Sequence, residues 1–84
     1  MYLNIGGDKI VRDASIIAII DIDKATTDKI TREFLKSAET EKKVVSVSEE
    51  IPKSFLVVKE NKKEIVYISP LSPQTLLKRI QKEA

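Results

Sequence analysis

Cysteine and histidine are both missing from this sequence. Without cysteine there is no disulfide, no thiolate metal ligand and no cysteine nucleophile; without histidine the commonest transition-metal ligand and general base are gone. Aromatic residues are scarce, and Tyr2, Phe34, Phe55 and Tyr67 are too scattered to form a base-stacking platform, so they read as core or interface. The only glycines, Gly6 and Gly7, fit neither G-x-G-x-x-G nor G-x-x-x-x-G-K-[ST]. Long apolar runs are also lacking: the longest aliphatic stretch, Ile16 to Ile20, falls far short of the roughly 20 residues a membrane helix needs. No basic-then-apolar leader opens the chain. These absences lead us to expect a soluble, unprocessed protein of the reducing cytoplasm that needs no cofactor.

Charge of one sign is not in large excess either. Fifteen Lys and Arg against thirteen Asp and Glu leave a net charge of +2, too small to imply nucleic acid alone. Residues 1–42 carry seven basic and eight acidic side chains, a net of −1, whereas residues 43–84 carry eight and five, a net of +3. A polyanion contact is therefore expected in the second half. With 84 residues, the chain 1–84 reads as one domain that buries about 60–65% of its unfolded surface.

What is present is β-rich. "YLNI", the turn residues "GGD" and "KIVR" predict a β-hairpin over the first twelve residues. "SIIAIIDI" is β-branched with little polarity, which predicts a central strand covered on both faces. The period then changes: Ile30, Phe34, Leu35 and Ala38 form one helical stripe, with Thr26 or Thr27 as cap and Asp28 near the positive end, predicting a surface helix packed on the sheet. "KVVSV", "SFLVV" and "EIVYI" predict three more strands, with "ENKKE" reversing the chain between the last two. "SPQTLLKRIQKEA" predicts a final helix with Ser72 as N-cap, Pro73 at the first position and an apolar face of Leu76, Leu77 and Ile80. The order is βββ-α-βββ-α, an α+β domain with a mainly antiparallel sheet and two helices.

Few constellations suggest chemistry. Asp21 and Asp23, two apart, share a face if the strand continues, a spacing that suits a paired acid and base or a hard cation; a solvated strand end is the plainer reading, since no third ligand is visible. Several serines offer hydroxyls, but no S-x-x-K supplies a lysine base, so the chain reads as non-enzymatic. Lys78, Arg79 and Lys82 lie on the polar side of the last helix, where they either bind phosphate or complement the helix dipole.

"MYLNIGGD", "IPKS" and "YISPLSPQTLLKR" give the chain a specific resemblance, over nearly its whole length, to the RemB type of the Rem extracellular-matrix regulators. The resemblance implies a DNA-binding transcriptional regulator linked to biofilm matrix, assembling as a homo-oligomer, with a ring as the form its RemA-type relatives adopt. Those relatives engage DNA through arginines. Two adjacent ones match Pro52 and Lys53 here, and a third matches approximately Ser15, with Arg12 nearby. Only one of the three positions keeps its charge, as a lysine without the arginine fork, and Glu49 and Glu50 just before it repel a phosphate. The resemblance thus nominates Lys53, Arg12, Lys78 and Arg79 as DNA-binding residues, with duplex DNA, a second copy of the chain and a RemA-type protein as partners. Two readings of "IPKS" remain open: a DNA-facing cation repeated around an oligomer, or a solvated lysine ahead of a strand. The alternative function is an interaction module with weak or no DNA affinity.

Overall fold

The computed structural model describes residues 1–82, with side chains through residue 80. β1 (Tyr2–Gly6) and β2 (Lys9–Arg12) pair antiparallel as the expected hairpin. The Asn4 side chain binds both ends of the turn, accepting from Gly6 N (2.9 Å) and donating to Gly7 O (3.2 Å). Glycine is required at Gly6: at a φ of 127° its backbone leaves the region open to side chains, and a Cβ there would stand 2.7 Å from Pro70. One 3-10 turn, Asp13–Ser15, then leads into β3 (Ile16–Asp21).

A four-stranded sheet runs in the order β3, β5 (Ser54–Glu60), β6 (Lys63–Ser69), β4 (Val44–Ser46). The β5–β6 hairpin forms its centre, closed by the two-residue turn Asn61-Lys62 where "ENKKE" places the reversal. One expectation about this sheet is corrected. The apolar segment β3 contacts both layers of the core, but it is an edge strand rather than a central one, because among the described residues only β5 pairs with it. The sheet is mainly antiparallel, with one parallel pair, β4 beside β6.

The expected middle helix is two helices, α1 (Ile22–Thr27) and α2 (Lys29–Thr40), so the described residues form three in place of two. Asp28 is the cause. Its backbone is extended (φ −89°, ψ 117°), which breaks the helix and lets its carboxylate cap α2 by accepting from Thr31 N at 3.2 Å. Thr26 and Thr27 are not caps; their hydroxyls bond back to carbonyls of α1. α3 (Pro73–Lys82) begins as expected, with Ser72 Oγ accepting from Thr75 N at 3.2 Å.

Hairpin and α3 cover one face of the sheet. There Leu3, Ile5 and Val11 meet Leu56, Val58 and Tyr67, with Leu76 from α3. Leu56, Val58 and Leu76 are fully buried, each contributing about 1.5–3 kcal/mol relative to exposure. On the opposite face α2 packs Leu35 and Ala38 against Val57, Val66 and Ala18. Ile30 and Phe34 do not join this core: they are 79% and 36% exposed and overhang the β3 edge. Leu77 is likewise exposed, so the apolar face of α3 is narrower than its sequence suggests.

Candidate nucleic-acid interface

Three separate sequence segments meet at one end of the sheet. Ser54, the last residue of "IPKS", pairs across the ladder with Ser69, and both are fully buried. Ser69 Oγ donates to Ile5 O at 2.6 Å and accepts from Leu71 N at 3.0 Å, while Ser54 Oγ donates to Leu71 O at 2.7 Å. These hydroxyls tie the glycine hairpin, the central strands and the approach to α3 together. The segments that carry the resemblance are thus, at their serines and glycines, structural joints.

Lys53 sits immediately outside this joint. Its backbone is held on both sides, Lys53 N donating to Ser69 O (2.8 Å) and Lys53 O accepting from Ile22 N (3.2 Å), and its side chain is exposed. It borders a shallow depression of about 310 Å³ that Asp21 and Asp23 also line, and Glu49 and Glu50 flank the neighbouring depression beyond Pro52. Two carboxylates therefore share its depression and two more line the next one, a local field that weakens attraction for phosphate. Asp21 itself is the N-cap of α1, accepting from Asp23 N at 2.8 Å. No cluster of three or more metal-ligating side chains occurs among the described residues.

The other nominated cations lie in the hairpin–α3 layer. Arg12 ends β2, exposed and opposite Tyr2. Arg79 Nη1 donates to Asn4 O at 2.9 Å, clamping α3 to β1, and Lys78 beside it is exposed. The Lys82 side chain lies outside the described residues. Ser15, at the position of the third family arginine, is half-buried in the 3-10 turn. Among the described residues no hydrogen bond or shared depression joins Lys53 to Arg12, Lys78 or Arg79.

A stronger basic surface lies at the opposite end of the sheet. Lys42 and Lys43, between α2 and β4, converge with Lys59, Lys62 and Lys63 of the β5–β6 hairpin around an open depression of about 600 Å³. Turn chemistry alone does not reveal this cluster in "ENKKE"; its signal is the lysine density there together with "KK" at 42–43. Lys9 is a different case, since its ammonium lies 4.9 Å from the centre of the Tyr67 ring. A hydrogen bond with the Tyr67 phenol raises its pKa above the ordinary lysine value against a smaller desolvation cost, and the charges of Tyr67 and Glu60 add to the rise.

Taken together these features define a small α+β domain with basic surfaces and structural serines. The chain belongs to the RemA-like family of extracellular matrix regulatory proteins: the family described as extracellular matrix regulatory protein A-like matches residues 2–80. No curated protein matches the chain. No helix among the described residues is long and apolar enough to cross a membrane.

Proposed function

We propose that this chain is a RemB-type regulator of extracellular matrix genes that acts in the cytoplasm as a DNA-binding homo-oligomer, through backbone phosphate contacts and with no chemistry of its own. The observation that carries the reading is an uncovered apolar edge. β3 pairs on one side only, and beside it Ile17 (56% exposed), Ile30 and Phe34 border a depression of about 440 Å³ floored by Ala18, Ile20 and Val57. An open, apolar edge strand is a template for pairing with another chain, and such patches mark association surfaces. Self-association through this edge repeats each subunit's cations, so that weak phosphate contacts add by avidity. Lys53, Arg12, Lys78 and Arg79 are the nominated contacts.

A second reading, an interaction module whose partner is itself or a RemA-type protein, draws support from the carboxylates around Lys53. Fluorescence anisotropy of a labelled AT-rich duplex, titrated with the native protein and with Lys53→Glu, separates the two. Binding at about 50 mM salt that falls with salt and weakens in the variant supports the regulator; no binding by either protein supports the module.

A further inference from the structure

The lysine end of the sheet, at the far end of β5 from Lys53, is the second candidate surface. β5 spans seven residues, so this end stands about 20 Å from Lys53 at roughly 3.3 Å per residue. Five lysines border the depression against two carboxylates, Glu41 and Glu64, leaving a local net charge of +3. Glu41 is partly engaged, 3.8 Å from Lys43, and Glu64 pairs across the strands with Lys59. The lysines remain exposed.

Backbone conformation adds an independent sign of function. Lys42 (φ 59°) and Lys62 (φ 65°) both occupy the left-handed region. Lys42 follows the end of α2, where Lys42 N donates to Glu39 O (3.0 Å) and Lys43 N to Ala38 O (2.9 Å), the Schellman arrangement that favours glycine. Lys62 is the second residue of a two-residue hairpin turn of the kind usually filled by Asn-Gly. Two glycine positions, on different elements, carry lysine instead and point to the same depression. Residues in this region persist where the surrounding structure fixes them, and they cluster at functional sites.

We propose that this depression binds the phosphate backbone of duplex nucleic acid. The inference rests on the DNA-binding reading above and relocates its main contact. Lysine ammoniums are mobile point charges suited to phosphate, and neither an arginine fork nor an aromatic ring lines the depression, so it reads charge rather than base sequence. An open, exposed cluster of ammonium groups suits the charged backbone of a duplex. Val45 and Ile65 are its only aliphatic lining, too little for insertion into a bilayer.

The test is the doubly substituted protein Lys42→Gly/Lys62→Gly, which removes two charges while relaxing both backbones and therefore keeps the fold. Its thermal midpoint rises or holds, yet duplex affinity at about 50 mM salt falls roughly tenfold and the salt slope drops by about 2, whereas Lys53→Glu changes affinity less. Lys59→Gln/Lys63→Gln, which leaves the turn residues in place, reproduces the loss. Binding equal to the native protein in both double variants overturns the proposal; if Lys53→Glu then abolishes binding, the regulator reading stands without it. A duplex bound by none of the proteins overturns both. Retained duplex binding, with loss only of binding to phosphatidylserine vesicles, assigns the surface to lipid and overturns the proposal as well.

Discussion

Replacing Ser69 by alanine deletes one oxygen and leaves two partners without a bond. Ile5 has no partner in the β1–β2 register, because the hairpin shifts between Asn4 and Gly6, and its carbonyl takes the Ser69 hydroxyl at 2.6 Å. Leu71 N loses its acceptor at the same time. Each unsatisfied buried group costs about 1–3 kcal/mol, and Leu71 is half-buried, so the sum is roughly 2–4 kcal/mol. Domains of this size sit near the lower end of the usual 5–15 kcal/mol, so a loss on that scale removes a large share of stability. The thermal midpoint should fall by about 8–32 °C, at roughly 4–8 °C per kcal/mol. Urea denaturation followed by circular dichroism reads the change directly, with the slope against denaturant unaltered if only the folded state is affected. Ser46→Ala is the control: its hydroxyl also donates, to Ser48 O at 2.8 Å, but in an exposed segment, and it should cost under about 0.5 kcal/mol. A Ser69→Ala change no larger than the control refutes the idea that these serines hold the joint.

Other perturbations test other joints. Gly6→Ala should destabilise by more than about 2 kcal/mol in the same urea assay, because the new Cβ meets Pro70 and the φ of 127° excludes alanine. Lys9 has a raised pKa in the folded state, so its contribution is fully present below the ordinary value of 10.5 and is lost as pH climbs through the folded value. The thermal midpoints of the native protein and Lys9→Met should therefore differ at neutral pH and converge in strong alkali; a gap independent of pH contradicts the placement of the ammonium on Tyr67. Ile17→Lys puts a charge on the open edge and should lower the mass seen by light scattering without lowering the thermal midpoint, whereas an unchanged mass rules out β3 as the association surface.

Local chemistry was legible, and long-range placement was not. "GGD", "ENKKE" and "SPQT" fix their turns and cap through glycine, asparagine, proline and serine preferences that act within a few residues, and the structure has them where expected. The edge position of β3 is not legible in its residues, because β-branched apolarity reports how much of a strand is covered, not which strands pair with it. Ile16 to Ile20 is apolar enough for a sheet centre, and part of that apolarity faces outward at Ile17. The split of α1 from α2 hinged on one residue, Asp28, whose carboxylate is a better cap than an interior side chain. The lysine cluster depends on β4 lying parallel beside β6, which brings residues 42–43 to the 59–63 turn; no pattern within either segment announces that meeting. Conversely, the resemblance drew attention to Lys53, and only the fold reveals the carboxylates of Asp21 and Asp23 beside it.

Sedimentation velocity of the native protein, alone and mixed with a fluorescent duplex at about 50 mM salt, tests the central claim most directly because it reads assembly and DNA binding together. An assembled DNA-binding protein sediments as a multiple of the 9.5 kDa chain and carries the duplex with it, releasing the DNA but not the subunits as salt is raised. A protein that sediments as a single chain, beside a duplex moving at its free rate, contradicts the account.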